Sequence, residues 1–120
     1  MPVRAVRGAI QVDRDEPAVI VAGTRTLLTE VIHRNGFGAD DFISVVFTVT
    51  PDLASEFPAA AARDLGLTDV PLLCATEIPV PDAMRRVIRL LAHVESDRPR
   101  SEVQHVYLRG AARLRPDLAA

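Results

Sequence analysis

Ala83-Met84-Arg85-Arg86-Val87-Ile88-Arg89-Leu90-Leu91-Ala92-His93-Val94 can be read as helix or as strand, and the architecture follows from the choice. Met84, Arg85, Arg86, Leu90 and Leu91 are good helix formers. The alternation through Val87, Arg89, Leu91 and His93 has the two-residue period of a strand. Local sequence leaves both readings open. A helix here leaves a sheet of four strands, and a strand makes it five.

The flanking segments are clearer. Upstream, Pro79 and Pro81 mark a loop, and Val70 to Ile78 predicts a third strand with Pro71 at its edge. Ser55-Glu56-Phe57-Pro58 opens a short second helix of small residues, Ala59 to Ala62, closed by Leu65-Gly66. The run Phe42-Ile-Ser-Val-Val-Phe-Thr-Val49 is nearly all apolar, which suits a strand covered on both faces. Before it, Ile20, Leu27, Leu28, Val31 and Ile32 recur at helical spacing between the starter Asp13-Arg14-Asp15-Glu16-Pro17 and the stop Asn35-Gly36. Val3 to Val12 reads as the first strand, with Gly8 at a bulge or a close approach. Downstream, Asp97-Arg98-Pro99-Arg100 is a turn. Val103 to Leu108, or as far as Leu114, is a last strand, and Arg115-Pro116-Asp117-Leu118 is a tail. Two helices cover one face of such a sheet and leave the other open to self-association.

A chain of 120 residues predicts one domain, residues 1–120. The hydrophobic fraction is 48% and the charged fraction 25%, an ordinary globular balance that argues against disorder. No apolar run approaches the roughly 18 to 20 residues that span a bilayer, so no membrane partner is expected. The opening Met1-Pro2-Val3-Arg4 has no apolar core of a secretion signal. The net charge of -2 gives no electrostatic footprint for nucleic acid. All 14 basic residues are arginine, a bias that genomic base composition can produce, but every cationic contact must then be a forked guanidinium. The single cysteine, Cys74, excludes an internal disulfide and fits a reducing cytoplasm. His33, His93 and His105 lack metal-ligand spacing relative to it, so no metal is expected.

There is no glycine-rich phosphate loop, CxxC, HExxH or GxSxG pattern. What stands out is charge and polarity on strand-like segments: Arg7, Cys74, Glu77, Arg89 and Tyr107, with Arg63 on the second helix. Each has an ordinary structural reading. A strand arginine usually faces solvent, a lone cysteine usually packs as a small apolar group, and a lone tyrosine usually belongs to the core. As a set they suit a ligand with more than one carboxylate and a hydroxyl, because guanidinium pairs carboxylate bidentately.

The positions align with a known pattern. The chain resembles the monofunctional chorismate mutases of the Bacillus type, the trimeric AroH class. The resemblance is carried by Val6-Arg7-Gly8-Ala9, Thr50-Pro51-Asp52-Leu53, Phe57-Pro58-Ala59, Ala62-Arg63 and Val70-Pro71. Cys74, Glu77, Ile88-Arg89, His105-Val106-Tyr107-Leu108 and Leu114-Arg115-Pro116-Asp117-Leu118 follow in order. It implies an α+β fold: a mixed sheet flanked by two helices, with a strand through Val87 to Val94, and a homotrimer forming a pseudo-α/β-barrel. It implies a cofactor-free enzyme that rearranges chorismate to prephenate on the route to phenylalanine and tyrosine, with active sites at subunit interfaces.

The roles implied are these. Arg89 contacts the breaking ether oxygen and a substrate carboxylate. Arg7 and Tyr107 bind carboxylate from the same chain. Glu77 accepts the substrate hydroxyl, assisted by Cys74, from the neighbouring chain. Phe57, Ala59, Leu73 and Leu114 form apolar wall, and Arg63 and Arg115 lie at the mouth. Ala60 stands where the family often has a basic residue, and Leu73 where a more polar one is common, so affinity rather than chemistry should differ. Two other functions compete: a non-catalytic trimeric sensor of a small carboxylate, and an imine deaminase of the Rid type.

Overall fold

The computed structural model describes residues 2–118. The chain runs β1 (Val3–Gln11), α1 (Pro17–Asn35), β2 (Phe42–Val49), α2 (Ala59–Asp64), β3 (Leu72–Thr76), β4 (Val87–Glu95) and β5 (Val106–Leu108). Short 3-10 turns occupy Ala39–Asp41, Arg100–Glu102 and Arg109–Arg113. The five strands form one sheet in the order β3-β2-β4-β1-β5. β4 is antiparallel to β1 and β2, whereas β1–β5 and β2–β3 are parallel. The fold is therefore α+β around a mixed sheet with two helices.

The ambiguous segment is a strand because its neighbours make it one. β4 lies between β1 and β2 and is paired on both edges. Ile88, Leu90, Ala92 and Val94 alternate onto one face and are all buried. That burial outweighs helix propensities of a few tenths of a kcal/mol per residue, about 1.5–3 kcal/mol for each large side chain covered. The helix-forming residues before it sit in a turn instead. Asp82 and Arg86 have left-handed backbone, φ 65° and 56°. Arg86 is held there by its backbone N–H on the Asp52 carboxylate and its Nε on the Val12 carbonyl, both at 3.0 Å.

Both helices pack on the same face of the sheet. α1 begins with Pro17 in its first turn and ends at Gly36, whose φ of 67° is the left-handed cap that glycine adopts freely. Its buried Ile20, Leu27, Leu28 and Val31 meet Val6, Ile10, Val45, Phe47, Ile88 and Leu90 in the main core, with Ala59 and Ala62 of α2. Gly8 marks a close approach and not a bulge: a Cβ there would lie 3.1 Å from Leu27 Cδ1 and 3.3 Å from the Val106 carbonyl. Buried Asn35 ties the end of α1 to the entry of β5. Its Nδ2 donates to the Gln104 carbonyl and its Oδ1 accepts the Gln104 N–H, at 2.9 and 2.7 Å.

Three sequence expectations need correction. β2 is covered on one face only within the chain: Val45 and Phe47 are buried, while Val46 and Thr48 on the other side are half-buried. β3 is shorter than Val70 to Ile78 because it is an edge strand flanked by prolines, and Ile78 is 82% exposed. The last strand stops at Leu108. Arg109 takes left-handed backbone, φ 56°, and Gly110 packs directly against the end of the Gln11 side chain. The chain therefore folds back across the uncovered face as a 3-10 turn. Tyr107, Ala9, Val87 and Ala111 form a second small core there, with Met84, Leu114 and Leu118 packed against it.

Candidate active site

The uncovered face collects the polar strand residues by parity. Arg7 pairs with Leu91 across β1–β4, and Thr48 pairs with Arg89 across β2–β4. Beyond β3, the Glu77 N–H donates to the Val49 carbonyl at 2.8 Å, so the chain continues beside β2. This brings the Glu77 carboxylate to Arg89. Arg89 Nε donates to Glu77 Oε2 at 3.0 Å, and Thr48 Oγ1 donates to the same oxygen at 2.7 Å.

A cleft of about 440 Å³ lies between this face and the folded-back C-terminal segment. Arg7, Thr48, Arg89, Tyr107, Leu114 and Arg115 line it, with Val46 and Leu91 as apolar floor. Three guanidinium groups thus share one hollow. Glu77 holds the Nε edge of Arg89, and the terminal nitrogens of that fork have no hydrogen bond among the described residues. Arg115 is held differently. Its Nε and Nη2 donate to the two carboxylate oxygens of Asp117 at 3.1 and 2.9 Å. This bidentate pair raises the Arg115 pKa above its ordinary value and lowers that of Asp117. Tyr107 is only 7% exposed, so its ring is fixed in the second core and forms a rigid wall.

His105 supports the site from behind. Its Nδ1 accepts the backbone N–H of Arg7 at 3.0 Å. Burial, and then the charges of Arg7 and Arg115, push its pKa below the usual histidine value. The ring is therefore neutral at pH 7, with its proton on Nε2.

The other expected site residues lie elsewhere on the chain. Phe57, Ala59, Arg63, Leu73 and Cys74 line a separate shallow groove between α2 and β3. Phe57 and Leu73 are 66% and 62% exposed there. Among the described residues, no group of three or more His, Cys, Asp or Glu side chains could hold a metal ion. Among the same residues, no helix is long and apolar enough to cross a membrane.

The model of the type I chorismate mutase family matches residues 3–118, and with them every residue of both clusters. The chain belongs to the type I chorismate mutase family. Chorismate mutase AroH of Thermus thermophilus is 52% identical over 117 residues, covering 97% of this chain and 96% of that protein. Chorismate mutase AroH of Bacillus subtilis is 38% identical over 120 residues, covering 99% and 94% respectively. The solved structure of a chorismate mutase from Clostridium thermocellum superposes with a TM-score of 0.88 at 46% identity, over 89% of this chain and 96% of that one.

Within this mutase chain, Arg7, Arg89, Tyr107, Leu114 and Arg115 come together in one cleft. Glu77 meets the Arg89 guanidinium within one chain, whereas the resemblance implies that it comes from a neighbouring one. Within one chain Cys74 lies apart from it: three residues apart along an extended segment, the two side chains fall on opposite sides, and Cys74 packs against the main core. Thr48, Val46 and Leu91 were not singled out from sequence. Their signal was the β2–β4 register, which places Thr48 beside Arg89 and Val46 beside Leu91.

Proposed function

We propose that this mutase converts chorismate to prephenate in the arginine-lined cleft, as a homotrimer whose sites are completed by a neighbouring chain. The rearrangement is pericyclic. One C–O bond breaks as one C–C bond forms, and no nucleophile, metal or proton transfer is required. Two tasks remain for the protein. It holds a flexible dicarboxylate in its reactive chair-like shape, a positioning effect. It also stabilises the negative charge that grows on the ether oxygen as the bond breaks.

One observation carries this reading: Arg89 is fixed along its Nε edge by Glu77, and it lines the same cleft as Arg7, Arg115 and Tyr107. A guanidinium already anchored needs no reorganisation when charge develops beside it. Arg7 and Tyr107 take one substrate carboxylate. Glu77 Oε1 has no hydrogen bond among the described residues and accepts the substrate hydroxyl. Arg115 and Leu114, on the folded-back segment, close over the entrance.

Two features support the trimer. Leu73, Leu91 and Val3 expose apolar surface on the face the helices leave bare. The groove of Phe57, Ala59, Arg63, Leu73 and Cys74 lies apart from the arginine cleft in one chain, so a neighbour's groove would supply the missing wall. Unpaired Cys74 fits a reducing compartment, and we place the enzyme in the cytoplasm. The test is to incubate the protein with chorismate and follow loss of its ultraviolet absorbance, with a mass measurement of the assembly alongside. Turnover by a three-chain particle is expected. Binding without turnover, or activity on an imine alone, would overturn the proposal.

A further inference from the structure

Glu77 can hold Arg89 only if its own carboxylate is held. It extends from the chain just beyond an exposed edge strand, and a long flexible side chain there loses several rotamers when it is fixed. The second bond that fixes it comes from Thr48. The hydroxyl of Thr48 reaches Glu77 Oε2 at 2.7 Å, shorter than the 3.0 Å from Arg89 Nε to the same atom. Thr48 itself has little freedom. It is β-branched, lies one residue from the end of β2 at a position paired on both edges, and sits in register with Arg89 on β4 and Ala75 on β3. The sequence of contacts is thus short and directional: a rigid strand hydroxyl, one carboxylate oxygen, and the Nε edge of the guanidinium.

From this we infer that Thr48 is a positioning residue for the rearrangement. It pins Glu77 Oε2, so that Arg89 presents its terminal nitrogens to the cleft and Oε1 stays open for the substrate hydroxyl. Thr48 acts through Glu77 and takes no part in the bond changes. The hydroxyl is what matters, since valine has the same shape and strand preference and cannot donate.

This inference rests on Arg89 being the group that stabilises the developing charge, and the test separates the two. Turnover of chorismate is measured for the wild-type enzyme, Thr48→Val, Thr48→Ser, Glu77→Ala, the Thr48→Val/Glu77→Ala double variant and Arg89→Ala. Losing a hydrogen bond to a carboxylate that orients a catalytic cation is expected to lower kcat about 3- to 10-fold in Thr48→Val, with KM changed less than about 2-fold. Thr48→Ser is expected to recover most of kcat. In the Glu77→Ala background, Thr48→Val is expected to change kcat by less than about 2-fold, because its partner is already gone. A melting temperature for each variant excludes a folding defect. An unchanged kcat in Thr48→Val, or the same loss with and without Glu77, overturns the inference while Arg89→Ala still fails to turn over. Normal turnover by Arg89→Ala overturns the parent reading instead.

Discussion

Replacing Glu77 with alanine separates a structural ion pair from a functional one. The pair joins Arg89 Nε to Glu77 Oε2 at 3.0 Å, with the two side chains 40% and 17% exposed. A guanidinium that exposed is screened by water, so the pair contributes at most about 1 kcal/mol to folding. In a domain of this size about 1 kcal/mol moves the melting temperature by roughly 3–6 °C. Catalysis should suffer more. Without the carboxylate the Arg89 fork loses its anchor and samples rotamers that face away from the ether oxygen, and the substrate hydroxyl loses its acceptor. A loss of about 10- to 100-fold in kcat is expected, up to the cost of one preorganised charge contact. Glu77→Gln keeps an oxygen that can accept from Thr48 and Arg89, and should recover part of the rate. The assays are chorismate turnover and thermal melting on the same preparations. A drop in stability well beyond 1 kcal/mol with a matching fall in active protein would show that the pair holds the fold and not the chemistry. Unchanged turnover would refute the positioning role outright.

Two further predictions concern stability. His105 is held neutral in the folded chain by burial and by the charges of Arg7 and Arg115, whereas the unfolded chain takes up its proton near pH 6.5. The unfolded state therefore binds more protons below that value, and stability should be full above about pH 6.5, falling as pH drops toward the lower folded pKa. Denaturant titrations at pH 7.5 and 5.5 test this: His105→Gln should lose that component of the pH dependence, and an identical dependence in both proteins would refute it. Gly23 faces Val12 so closely that a Cβ would lie 2.5 Å from Val12 Cγ1. Gly23→Ala should then destabilise the chain by about 1–3 kcal/mol despite its better helix propensity, as denaturant midpoints would show, and a stabilised variant would contradict the packing.

Much of this molecule is legible locally. α1 announces itself because Pro17 and Gly36 bracket a helical apolar face, and β1 because its alternation and β-branched residues read as strand despite Gly8. β4 is different. Its residues prefer helix one by one, and only pairing to β1 and β2, far away in sequence, makes it a strand. Family resemblance supplied that strand where periodicity could not. The end of β5 was hidden for another reason: nothing about an arginine at 109 advertises left-handed backbone, yet the fold-back it begins builds one wall of the cleft. In the site, charged or polar residues on apolar strands are conspicuous, so Arg7, Arg89 and Tyr107 can be named from the residues, whereas Arg115, in the tail, follows only from the resemblance. Thr48 cannot be named, because a threonine in a β-branched run looks like an ordinary strand former. Its meaning depends on a register that only the folded sheet defines. The separation of Cys74 from Glu77 has the same origin, since strand parity decides sides.

The central claim is that the fixed cation at position 89 stabilises charge on the breaking bond. Steady-state turnover of chorismate by Arg89→Ala and Arg89→Lys tests it most directly. We expect kcat to fall by at least about 10²-fold in the alanine variant, the scale of losing one preorganised donor. The lysine variant should recover little of it, because a point charge does not reproduce the fork that Glu77 orients. Near-normal kcat in either variant, from protein that folds and melts like the wild type, would contradict the account.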